Sequence, residues 1–234
     1  MTSHLKNKKT ILVSLFLGFV LSSFGQSTYP TRDSTHIFWQ PNLSITYLDY
    51  KLLTPQKQVE QLMEEYSFSA SASVGVWSIL DIPKRKKDRY TKFEKVYFAP
   101  AFERKTSYAK TQDLSQIAMQ NAYFDMCEVW ARWARQKLAT IQDTIKTTGT
   151  LTIFYMTVEQ EMKVKIKEMF RSYFNDVFKN NYPNAFQEWR SKLDKKLEDT
   201  TKWATRPDEC YRLMTGKPID KEYIQAPIVI GVLK

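Results

Sequence analysis

The chain has 234 residues, enough for one domain with a sizeable core. Aromatic residues make up 14% of it and only six residues are glycine, which excludes a disordered tail. The formal charge is +10. That balance suits contact with acidic envelope polymers or lipid headgroups, or is ordinary solubility charge.

In chain order, Lys6, Lys8 and Lys9 form a positive start, followed by an apolar run from Ile11 to Leu21 (ILVSLFLGFVL). The run is short for a bilayer span, which needs about 20 residues. Ser23 and Gly25 offer small residues before a cleavage point at Gln26. Residues 1–25 therefore read as a signal peptide, with an uncleaved anchor as the other reading. No cysteine sits near that point for a lipid anchor, and no later segment is apolar for long enough to span a membrane. The expected location is periplasmic or extracellular. Losing the three signal lysines leaves +7.

Residues 26–36 (QSTYPTRDSTH) read as an irregular lead, and residues 37–234 as a single domain. Leu43 to Leu48 alternates and is rich in β-branched residues, which predicts a strand. Thr54 and Pro55 open a helix to about Tyr66. Ser69 to Ile82 (SASASVGVWSILDI) reads as a second strand and Phe93 to Phe102 as a third. The basic run between them, Lys84 to Arg89, reads as a solvated hairpin loop rather than a nucleic-acid site. The second half predicts helices from about Gln112 to Gln142, from Thr157 to Lys179, and from Pro183 to Glu198, with no interior Gly or Pro. Ala226 to Leu233 (APIVIGVL) reads as a buried strand. Strands first and helices afterwards indicate an α+β fold. Cys127 and Cys210 are either bridged, which export permits, or two separate buried thiols.

The informative segment is Met119 to Arg132 (MQNAYFDMCEVWAR). Phe124, Asp125, Glu128, Ala131 and Arg132, with Met126 in place of an isoleucine, follow a helix of the type H-E-Q-x-H-F-D-I-x-E-x-x-A-R. On these residues the chain resembles a bacterial family of predicted secreted zinc-dependent proteases. Four further pieces resemble the family outline in order: Trp39 with Leu43 to Tyr50, Ser69 to Gly75, Ala101 to Tyr108, and Gln187 with Trp189, Leu193 and Leu197. The resemblance covers about residues 37–200 and implies a zincin-like domain.

The chemistry of that family is missing from the helix. A zincin needs two histidines at i and i+4, on one helix face, and a glutamate after the first to take a proton from metal-bound water. Here Met119 and Tyr123 stand at the ligand positions and Gln120 at the base position. Thioether and neutral phenol are poor zinc ligands. No shift of register restores the pair, because the whole chain holds only His4 and His36, and His4 lies in the signal segment. His36 with Cys127 and Cys210 lacks the short spacings of a zinc site. No zinc or other cofactor is expected, and His36 reads as a surface or cap residue.

Phe124, Asp125, Glu128 and Arg132 read as scaffold, a helix-side network at i, i+3 and i+4 spacing. The sharper reading makes Asp125 and Glu128 the paired carboxylates of a hydrolase with Gln120. Trp130 and Trp133 with Tyr123 and Phe124 read as core, or as the floor of a ligand groove. There is no glycine-rich phosphate loop, no acidic calcium loop and no nucleophile triad except through His36. Cys127 has no adjacent cation to activate it. The expected function is a catalytically inactive relative of a secreted protease that binds a protein or an envelope polymer. The alternative is an active peptidase using groups other than histidine.

Overall fold

The structure, a computed structural model, describes residues 29–52 and 57–227. The expected signal peptide and residues 228–233 of the expected last strand lie outside them. Six strands and five helices follow in order: β1 (His36–Phe38), α1 (Lys57–Glu65), β2 (Ala70–Ser71), β3 (Val74–Pro83), β4 (Lys95–Glu103), β5 (Tyr108–Ala109), α2 (Leu114–Ile145), α3 (Thr150–Phe174), α4 (Ala185–Asp199), α5 (Pro207–Thr215) and β6 (Tyr223–Gln225). The α+β class read from the sequence holds, with the long helices after the main strands.

The main sheet has the order β1-β4-β3-β6 and is antiparallel throughout. Strand residues alternate between its faces. Val76, Leu80 and Ile82 of β3 and Val96 and Phe98 of β4 meet Ala131, Ala134 and Leu138 of α2 and Val158 and Met162 of α3. On the other face Ile79, Ala99 and Ala101 pack with Phe38 and with Cys210 and Leu213 of α5. The sheet is thus sandwiched between α2/α3 and α5. Its face toward α5 carries a buried ion pair: Arg212 donates to both oxygens of Asp81, at 2.8 and 2.6 Å.

Several expectations are corrected. Leu43 to Leu48 is not a strand. It is irregular and then a 3-10 turn over Tyr47–Asp49, closed by a reciprocal Thr46–Asp49 capping box. The Asn121 amide donates to the Ile45 carbonyl at 2.9 Å, so this backbone is satisfied by a side chain instead of a strand partner. The apolar alternation was real, but it buries Ile45, with Leu43 and Tyr47 beside it, in a cluster containing Phe102 and Phe124. The expected strand from Ser69 breaks at Ala72–Ser73, because Ser73 donates to the Ser107 hydroxyl while β2 pairs with β5. Helix α3 starts at Thr150 rather than Thr157. Gly149, at φ +86°, turns the chain there, and burial of Leu151 outweighs the weak helix preference of Thr150, Thr152 and Ile153.

The lead ends one residue earlier than expected, since β1 begins at His36. Helix α5 was not anticipated. The basic run is a hairpin connection, with a 3-10 turn at Lys86–Tyr90 and with Arg85 and Lys92 paired to Glu222. Among the described residues no helix is long and apolar enough to cross a membrane.

Candidate functional site

Helix α2 carries the site. Asp113 caps it by accepting from the Ser115 and Gln116 amides, and 32 residues then run without Gly or Pro to Lys146, which closes the helix in the left-handed region. Such length lets one element cross the whole sheet face. Its first turns face the β2–β3 link, and its later turns sit under β3 and β4.

Met119 and Tyr123 share one face, as their spacing requires. That face is filled by α3. The Tyr123 ring meets Phe170 at 4.8 Å and Tyr173 at 4.9 Å, both edge-on. The Tyr173 hydroxyl donates to the Met119 carbonyl at 2.8 Å. Burial pushes the Tyr123 phenol well above its usual range, so it stays neutral at any physiological pH. Gln120 lies a step round the helix and is 5% exposed. Its Oε1 accepts from the Ala72 amide at 3.1 Å. Its Nε2 has no hydrogen-bond partner among the described residues.

Gln120 and Tyr123 line a cleft of about 350 Å³. One wall is the link Ser71–Val74; the other is aromatic, with Phe68, Phe170, Phe174 and Phe178. The α3 helix passes into a π-helical turn over Asn175–Lys179, which sets the position of Phe178. These rings were missed in the sequence, although 170, 174 and 178 recur every four residues and so share a helix face.

Val74, in the wall of the cleft, begins β3. The Glu103 amide donates to the Ser73 carbonyl, so Ser73 and every second residue after it turn their backbone groups toward β4. Val74, Val76 and Ser78 turn theirs the other way. There β6 covers only Asp81–Pro83, with one further bond from the Ala226 amide to the Leu80 carbonyl. Among the described residues nothing pairs with the backbone of Val74, Val76 and Ser78.

The second half of the motif is pinned elsewhere. Asp125 accepts from the Trp39 indole at 2.7 Å and from Arg190 at 2.6 Å, tying α2 to the end of β1 and to α4. Phe124 is buried 6.4 Å from the Phe102 ring. Glu128, fully buried, accepts from Arg132 at 2.7 Å and from the Thr205 amide and hydroxyl at 2.8 and 2.5 Å. Arg132 also lies 5.0 Å over the Trp39 ring. The expected single network is therefore two. Glu128 and Arg132 pair as their spacing predicts, inside the core rather than on the surface, while Asp125 faces other partners. Asp125 and Glu128 do not line one cleft.

Trp130 and Trp133 meet edge-on at 5.9 Å and pack in the α2–α3 core, away from Tyr123 and Phe124. His36 contacts Trp77 at 4.7 Å on the sheet face opposite α2, so it does not reach the cleft. Cys127 and Cys210 are both free and buried, which corrects the bridged reading. Cys127 is inside α2; Cys210 packs from α5 on the far side of the sheet and accepts from Gln40 at 3.3 Å. Burial pushes both thiols well above their usual range, which leaves them poor nucleophiles. Among the described residues no three His, Cys, Asp or Glu side chains are grouped to hold a metal.

A second cavity, of about 370 Å³, lies near Arg135, Gln142 and Glu209. Arg135 is spent there on the carbonyls of Phe98 and Trp203 and on the Thr205 hydroxyl. The chain matches no family model, no curated protein and no solved structure.

Proposed function

We propose that this is an exported, non-catalytic relative of the secreted zinc-dependent proteases, and that it binds a protein or envelope polymer through the cleft at Gln120 and Tyr123. The observation that carries the reading is the use made of Gln120. It stands where the resemblance expects a general base, and its carboxamide oxygen holds the Ala72 amide instead. A carboxamide has no basic lone pair to take a proton from water near neutral pH. The two positions expected to hold metal carry a thioether and a neutral phenol, and α3 packs onto them.

What is left is suited to recognition. Aromatic walls take up an apolar side chain, the Gln120 Nε2 offers a donor, and the backbone of Val74, Val76 and Ser78, unpaired among the described residues, offers hydrogen bonds to an extended chain. Polypeptide is therefore the favoured ligand class. The basic surface charge supports acidic envelope polymers as a second class. Nucleic acid has no support, because the most basic run is a loop partly neutralised by Asp88 and Glu222. A hydrolase on Asp125 and Glu128 has none either, since each is committed to separate partners.

The test is a binding screen of extended peptides and envelope polysaccharides by calorimetry, with Phe174→Ala as the probe of the cleft. Phe174 is half-buried, so its loss spares the core. A genuine ligand binds the wild type and loses about tenfold in affinity to the variant, equivalent to about 1.4 kcal/mol. Ligands that bind both proteins equally would place recognition elsewhere. Turnover of any peptide by the wild type would overturn the non-catalytic reading.

A further inference from the structure

We infer that the second cavity, beside Arg135 and Gln142, binds a small zwitterion with an apolar side chain, the chemistry of an apolar amino acid or dipeptide. Three parts of the chain build it. Arg135, Leu138, Ala139 and Gln142 recur at the spacing of one helix face and supply the α2 wall. Val96 and Phe98 of β4 and Leu151 of α3 supply apolar surface. The 3-10 turn Thr201–Trp203 and the entry to α5 add Lys202, Trp203 and Arg206. Arg135 ties these walls together, donating at 2.5 Å to the Phe98 and Trp203 carbonyls and to the Thr205 hydroxyl. The space of about 370 Å³ is therefore braced before any ligand arrives, and it falls in the range of small-molecule sites.

Two polar atoms of the lining residues are buried without a partner: Arg135 Nε, a donor, and Gln142 Oε1, an acceptor. The Gln142 amide has only one consistent orientation, because its other end donates to the Thr147 carbonyl at 3.1 Å. Buried groups of this kind are normally satisfied.

The charges divide in the same way. Arg135 lies 3.6 Å from Glu209 and 3.8 Å from Glu128, and Arg206 lies 3.3 Å from Asp208, so those cations are compensated. Lys202 and Asp143 also line the cavity, and among the described residues neither has an ion-pair partner. Asp143 stands in the last turn of α2, where the helix dipole disfavours a carboxylate. Helix stability therefore gives no reason for it.

A zwitterion answers all four groups. Lys202 and Arg135 Nε take its carboxylate, Asp143 and Gln142 Oε1 take its ammonium, and Val96, Leu138 and Leu151 take its side chain. A simple anion would leave Asp143 and Gln142 Oε1 unanswered, and a simple cation would leave Lys202 and Arg135 Nε.

The test is calorimetric titration of the full chain with leucine and with leucyl-leucine, the two sources of this chemistry. N-acetylleucine and leucinamide, which each lack one charge, are the controls. At least one zwitterion should bind, and each control should bind about tenfold more weakly, the loss of one charge-assisted contact. Asp143→Asn and Lys202→Gln, both at exposed positions, should keep the wild-type Tm. Each should lower the affinity for the zwitterion about tenfold. Asp143→Asn should leave N-acetylleucine binding unchanged, and Lys202→Gln should leave leucinamide binding unchanged. Phe174→Ala, in the other cleft, should not affect the zwitterion.

Four results would each overturn the inference. They are no binding of leucine or leucyl-leucine, a control that binds as tightly as the zwitterion, wild-type affinity in either charge variant, and loss of binding in Phe174→Ala. The last would move the ligand to the Gln120 cleft.

Discussion

Replacing Gln120 by alanine separates the two uses of this side chain. The Oε1 atom holds the Ala72 amide at the point where the chain leaves β2 and enters β3. Alanine removes the acceptor and leaves that amide without its partner in a wall of the cleft. A hydrogen bond contributes about 0.5–1.5 kcal/mol net, and a stranded buried donor costs about 1–3 kcal/mol. The cleft admits some water, so the expected loss is about 1–2 kcal/mol. For a domain of this size that lowers Tm by about 2–8 °C. Gln120→Glu keeps an acceptor for Ala72 and turns the Nε2 donor into a second acceptor. It should keep most of the stability while weakening any ligand that uses the donor. Thermal unfolding of the three proteins, with hydrogen exchange at Ala72, reads both effects. Wild-type stability and unchanged Ala72 protection in Gln120→Ala would refute the structural part of this reasoning. Equal ligand affinity in wild type and Gln120→Glu would refute the donor role.

Two further expectations concern the frame around the site. Asp81→Ala leaves the fully buried Arg212 without its carboxylate and should cost about 3–5 kcal/mol in urea unfolding, while Asp81→Leu with Arg212→Leu should recover most of that. A double variant as unstable as the single one would show that packing, not the stranded charge, dominates. Cys127 and Cys210 should react with a thiol reagent at mildly alkaline pH only after denaturant is added, because burial keeps both thiols protonated and out of reach. A Cys127–Cys210 disulfide in the native protein would contradict this packing.

Helix α2 was legible because its signals are local: an Asp113 cap, a 3.6-residue period and no interior breaker. That the chain holds no pair of histidines at zincin spacing was legible for a stronger reason, since it is a count of histidines and does not depend on geometry. The segment at Leu43 to Leu48 was misread because alternation reports burial, not pairing. Ile45 is buried without a strand beside it, and Asn121, far away in sequence, satisfies its carbonyl. Helix α5 was overlooked although Pro207 at its first turn and Gly216 just past its end are ordinary boundary signals. Its nine residues carry too short a period to stand out.

The divergence of Asp125 from Glu128 was not legible. Spacing along a helix tells which side chains are neighbours, and it does not tell what the rest of the fold offers them. Arg190 and Trp39 come to Asp125 from opposite ends of the chain. The edge of β3 that is unpaired among the described residues was hidden for the same reason. Which segment reaches β3 beyond its pairing with β6 at Asp81–Pro83 depends on partners far away in sequence, which no local pattern announces.

The central claim of the proposed function is that Met119, Gln120 and Tyr123 pack and bind at the positions where the resemblance expects zinc ligands and a base. The metal content of the purified chain, measured by plasma mass spectrometry after dialysis against zinc, tests it most directly. The account predicts zinc far below one atom per chain, and no tight zinc in Met119→His/Gln120→Glu/Tyr123→His either, because Phe170 and Tyr173 occupy that helix face. One tightly held zinc per wild-type chain would contradict it.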